Sequence, residues 1–79
     1  MIRLVFLGKL ADVAGGDTLE LPAACDWAGL LAALPAALAE AVTASSTKVA
    51  VNGALVADKS GIVARHGDEV AFLPPVSGG

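Results

Sequence analysis

The stretch with chemistry in it is Phe72-Leu73-Pro74-Pro75-Val76-Ser77-Gly78-Gly79. Pro74 and Pro75 fix φ and hold the backbone extended, so they form a stiff arm that projects from whatever precedes them. Gly78 and Gly79 carry no Cβ, which lets this part of the chain enter a passage too narrow for any other residue. Val76 and Ser77 give the arm a modest grip. A carboxylate on Gly79 is a poor electrophile until an enzyme activates it, typically as a mixed anhydride with AMP. Placing reacting groups correctly is then worth several orders of magnitude in rate.

Few other residues offer chemistry. Cys25 is the one cysteine and His66 the one histidine, so no disulfide and no tetrahedral metal cage of the usual kind is expected. Cys25 reads as a small hydrophobe, buried or half-buried, and Trp27 as core. His66 reads as part of a surface turn, since no serine, cysteine or carboxylate partner accompanies it. Gly15-Gly16 lacks the Lys and Ser/Thr that complete a phosphate loop, so ATP contacts should come from a partner.

Five Lys and Arg against eight Asp and Glu give a net charge of -3, with the cations dispersed. That argues against nucleic-acid binding, which needs concentrated positive charge. A chain of 79 residues builds one domain and hides roughly 60% of its unfolded surface. Its composition, 56% hydrophobic and 16% charged, is that of a globular protein. No apolar run reaches the ~20 residues that span a bilayer. The N-terminal stretch is too short and too strand-like for a signal peptide, so a cytoplasmic location is expected.

The elements that position the arm follow from periodicity. Ile2, Leu4 and Phe6 alternate with Arg3, Val5 and Leu7, a strand ending at Gly8. Gly15-Gly16-Asp17 is a turn leading to Thr18–Leu21, a second strand hairpinned to the first. Asp26 should cap a helix whose apolar stripe is Trp27, Leu30, Leu31, Leu34, Leu38 and Val42, ended or kinked near Leu34 by Pro35. Asn52-Gly53 joins two strands in a tight hairpin. A short helical turn is expected near Ile62–Ala64, a second tight turn at His66-Gly67-Asp68, and a last strand over Glu69–Leu73.

The resulting plan is α+β: a β-grasp, ubiquitin-like domain with a mixed sheet of about five strands, the last beside the first, and one main helix across one face. Residues 1–73 form the domain and residues 74–79 an extended Gly-Gly tail, expected to be mobile alone and fixed in complex. If Ile2, Leu4 and Phe6 meet the helix, Val5 and Leu7 face the open side, as do Ala71 and Leu73. Leu7, Leu55 and Leu73, with Pro74, Pro75, Val76 and Ser77, are the expected partner-binding residues.

Ile2–Gly15, Val49–Val56 and above all Gly67–Gly79 resemble the small, sulfur-carrying subunit of molybdopterin synthase. The likeness covers nearly the whole chain. It implies that a ubiquitin-activating-like adenylyltransferase spends ATP to adenylate Gly79, that a sulfur donor protein converts the adenylate to a thiocarboxylate, and that the large subunit accepts the tail within a heterotetramer. Sulfur would then pass to cyclic pyranopterin monophosphate. The chain would bind no stable cofactor, contact no nucleic acid or membrane, and be no enzyme on its own. The alternatives are a sulfur carrier for thiamine or another thio-metabolite, a ubiquitin-like protein modifier, or an inert interaction module. Pro74-Pro75 and Phe72 favour the molybdopterin reading.

Overall fold

The computed structural model describes residues 1–74. Strand β1 (Ile2–Phe6) buries Ile2, Leu4 and Phe6, the alternation that its sequence period requires. Strand β2 (Thr18–Leu21) runs antiparallel to it, with Arg3 opposite Glu20 and Leu4 opposite Leu19. The last strand, β7 (Glu69–Leu73), pairs parallel with β1, setting Val5 beside Ala71 and Phe6 beside Phe72. Strands β4 (Lys48–Val51) and β5 (Ala54–Leu55) complete a five-stranded sheet of order β2-β1-β7-β4-β5. This is the β-grasp architecture expected from the sequence.

The β4–β5 turn shows why Asn52-Gly53 is so strong a signal. Asn52 has φ 51° and Gly53 φ 85°, the left-handed pair that matches the twist of a two-residue hairpin.

Two features differ from expectation. The connection from β1 to β2 is not a bare hairpin but contains a helix, α1 (Lys9–Ala14). Its cue was present: Leu10 and Ala14 lie one turn apart, with Gly15 after them as a left-handed C-cap at φ 77°. The main helix is two pieces, α2 (Trp27–Ala32) and α3 (Ala36–Thr43), broken at Pro35 as the sequence led one to expect, with Pro35 as N-cap of the second. Proline cannot continue the hydrogen-bond ladder, yet Trp27, Leu30, Leu34, Leu38 and Val42 still share one buried stripe across the break. The helical turn lies earlier than expected, as a 3-10 turn over Lys59–Gly61. Ile62 is extended, and β6 (Val63–Ala64) pairs with β3 (Cys25–Asp26) in a small side sheet. A two-residue strand is too short to show a period, so only its distant partner could reveal it.

The core lies between the helices and one face of the sheet. Phe6 and Phe72 stack at 5.3 Å between ring centroids and 9° between planes, and Trp27 tilts onto Phe72 at 6.4 Å. Aromatic pairs in this range add to the burial of their area. Asp26 caps α2 through its carboxylate, which accepts from the Gly29 N–H at 2.8 Å. The C-terminal end of α3 is closed by Lys59, whose ammonium donates to the carbonyls of Val42, Ala44 and Thr47 at 2.9, 2.5 and 2.9 Å. A cation at this pole satisfies carbonyls that the helix leaves without partners.

Candidate functional site

The arm leaves the fold beside β1. The β1–β7 ladder runs past the end of β1, because the Leu7 N–H donates to the Phe72 carbonyl at 3.2 Å. Gly8 follows at φ 57° and ψ -132°, a backbone shape open almost only to glycine. A Cβ on Gly8 would stand 3.0 Å from Pro74 Cγ, so the absent side chain leaves room for the proline. Gly8 is a part of this exit whose packing role only the fold reveals.

Around the exit, the open face of the sheet is apolar. Strand register sets Val5, Ala71, Ala50 and Leu55 in one row across it, flanked by Leu73 opposite Lys48. Leu7 is 42% exposed and Leu55 71%, while Leu73 is half-buried at the root of the arm. Leu7 and Leu73 close the ends of neighbouring strands, and Leu55 stands on the far edge of the same face. Ala50 joins them through register alone, a placement that the short hairpin sequence does not declare. The remaining predicted site residues, Pro75, Val76, Ser77, Gly78 and Gly79, lie outside the described residues.

The opposite end of the open face is polar. Arg3 stands between Glu20 and Glu69. Beside them the two turns are clamped together: Asn52 Nδ2 donates to Asp68 Oδ1 at 3.0 Å, and Asn52 Oδ1 accepts from the Glu69 N–H at 2.9 Å. The other Asp68 oxygen accepts from the Arg65 N–H at 2.9 Å. This amide, the Asn52 donor and the Arg65 charge together hold the Asp68 carboxyl below its ordinary range. His66 belongs to the same clamp, its Nδ1 accepting from the α-amino group of Met1 at 2.7 Å.

Cys25 is half-buried, and burial, reinforced by the adjacent Asp26 charge, pushes its thiol above the ordinary range. A thiol held protonated is a weak nucleophile. Among the described residues no group of three or more His, Cys, Asp or Glu side chains is placed to hold a metal ion. Nor is any helix there long and apolar enough to cross a membrane. What the described residues offer is a rigid platform and an apolar face that meets Pro74 at its edge.

Solved structures share this architecture. Over 99% of this chain and 98% of theirs, the crystal structure of SAMP1 from Haloferax volcanii superposes with a TM-score of 0.72 at 29% identity. A crystal structure of the small archaeal modifier protein 1 of H. volcanii gives 0.64 at 26% identity over 95% and 97%. The solution structure of the Haloferax volcanii HVO 2177 protein, at 24% identity and a TM-score of 0.68 over 99% and 85%, shares the fold. The class is thus the ubiquitin-like β-grasp. Within it the ThiS family profile matches residues 4–79, and the chain belongs to the ThiS family. No curated protein matches it significantly.

Proposed function

We propose that this chain is a ubiquitin-like carrier whose Gly79 carboxylate is the working group. The family match runs through Gly78 and Gly79, and this observation carries the reading. An adenylyltransferase partner joins the carboxylate to AMP with release of pyrophosphate. A persulfide sulfur of a donor protein displaces AMP, and a thiol then cleaves the S–S bond to leave a thiocarboxylate at Gly79. The chain supplies no base or oxyanion donor to these steps; it is a substrate and cosubstrate of cytoplasmic enzymes rather than an enzyme, and it keeps no cofactor.

Two destinations have support. Likeness to the small archaeal modifier protein favours acyl transfer to the amine of a target protein, which forms an amide and releases AMP from the adenylate or the donor protein's persulfide from the acyl persulfide. Pro74-Pro75 after an apolar strand favours sulfur delivery in a molybdopterin synthase, with the apolar face around Leu7 and Leu73 seated on the large subunit. Thiamine-type sulfur delivery uses the same first steps. The test is to prepare the thiocarboxylated chain and follow Gly79 by intact mass, first with a molybdopterin synthase large subunit and its cyclic pyranopterin substrate, then with a lysate. Loss of sulfur with formation of a dithiolene pterin selects the molybdopterin reading. Higher-mass amide conjugates ending at Gly79 select the modifier. A Gly79 that is never adenylated by any such partner overturns the carrier reading itself.

A further inference from the structure

The main sheet has two edges of unequal character. Strand β5 is two residues long and offers little to a neighbour. Strand β2 offers four, with no proline, lysine or bulge among them, and such an edge is open to another strand. Its polarity can be read from the ladder: the Phe6 N–H donates to the Asp17 carbonyl at 2.7 Å, so alternation turns Leu19 and Leu21 toward β1. The N–H and C=O groups of Thr18 and Glu20 therefore point outward. Among the described residues they have no backbone partner.

Beside this edge, on its helix side, runs a groove of about 470 Å³. Phe6, Ala14, Leu19, Ala33, Pro35 and Leu38 line it, with no charged side chain among its lining residues. Leu19 is 38% exposed although it shares the face of buried Leu4, because nothing covers the strand's outer side. On the other face, the charges alternate across the strands as Glu69, Arg3, Glu20. The next position in that row, on a strand added to β2, calls for a cation.

The geometry points to the β2 edge as a docking site for an extended segment of a partner protein, one whose apolar residues alternate with Lys or Arg. Backbone bonds to Thr18 and Glu20 hold the segment, its apolar side chains enter the groove, and a cation stands opposite Glu20. A second copy of this chain fits less well. In the antiparallel registers that bond the edge, it sets Thr18 or another Glu20 across from Glu20 and supplies no cation there. The site lies apart from the arm's exit and is independent of the reading of Gly79.

The test uses the isotope-labelled full chain and an acetylated, amidated Lys-Val-Lys-Val-Lys-Val peptide, with Glu-Val-Glu-Val-Glu-Val as its mirror. Saturable shifts at Leu19 and Ala33 are expected, with exchange protection of the Thr18 and Glu20 amides and unmoved signals from Leu7 and Leu73. The Lys peptide should bind about fivefold tighter than the Glu peptide, and Glu20→Lys should reverse the preference, since opposite charges across strands attract and like charges repel. Ala33→Phe, which fills the groove from an exposed position, should weaken both. Absence of saturable shifts at Thr18 and Glu20, or shifts confined to the Leu7 and Leu73 face, overturns the proposal. Protection of those amides without peptide, together with a dimer in sedimentation, overturns the occupant in favour of a second copy.

Discussion

The two ends of the open sheet face are built by different means. At the turn end, Asn52, Asp68, Arg65, His66 and Met1 are laced by side-chain and backbone hydrogen bonds. At the arm end, Leu7 is exposed and Leu73 half-buried, and Gly8 does no more than make room for Pro74. Directional bonds fix the register of β1, β4 and β7 at one end, and register propagates along strands. The arm end can then be left largely apolar, which suits the docking surface of the carrier proposed above.

Deleting Gly78 and Gly79 should separate the ends most sharply. Adenylation of the chain should be lost altogether, while the thermal midpoint stays that of the whole chain; a large fall in the midpoint would mean the arm supports the fold. Next comes the pair Phe72 and Leu73, neighbours on opposite faces. Urea denaturation should show Phe72→Ala losing ~3–5 kcal/mol, a large share of the ~5–15 kcal/mol typical of a domain. Leu73→Ala should lose far less, yet weaken adenylation by a partner that docks there. Removing the ammonium with Lys59→Met should lower stability by ~1–3 kcal/mol, since the carbonyls of Val42 and Ala44 at the end of α3 and of Thr47 beyond it lose a charged donor.

The turn clamp predicts a smaller, pH-dependent effect. The Asp68 pKa is lower folded than unfolded, so its contribution is present above the unfolded value of 3.8 and disappears as pH falls through the folded one. A series of urea midpoints below about pH 4 should therefore fall less steeply in Asp68→Asn than in the parent chain. The smallest effect belongs to Leu55→Ala on the exposed far edge of the sheet. There the unfolding free energy from urea denaturation should change by no more than ~0.5 kcal/mol, as is usual for exposed positions.

The same contrast explains what the sequence made legible. Period-2 runs announced β1 and β7, Asn52-Gly53 the hairpin, and Asp26 and Pro35 the helix starts, because each of these signals acts within a few residues. The elements that escaped depend on partners far along the chain or on lengths too short to show a period. Strand β6 exists because Val63 and Ala64 find Asp26 and Cys25, and α1 is a helix of only six residues inside what reads as a hairpin loop. The arm was conspicuous as a sequence, while the rows of small residues beside it, Ala50 and Ala71 with Val5, became a surface only once register aligned them.

The central pairing of β1 with β7 has a consequence for how the molecule is assembled. Arg3 meets Glu69 and Phe6 meets Phe72, so the middle of the sheet joins nearly the first residues to nearly the last described. Contacts so distant along the chain are the slow ones to form, since the longest loop must close before they contribute. A chain cut short before Glu69 lacks the strand that both β1 and β4 lean on, and it cannot hold a partial sheet. Folding and possession of an intact C-terminal strand thus become one condition: in the carrier proposed above, a copy able to offer Gly79 to a partner is a copy whose last strand has been read through and seated.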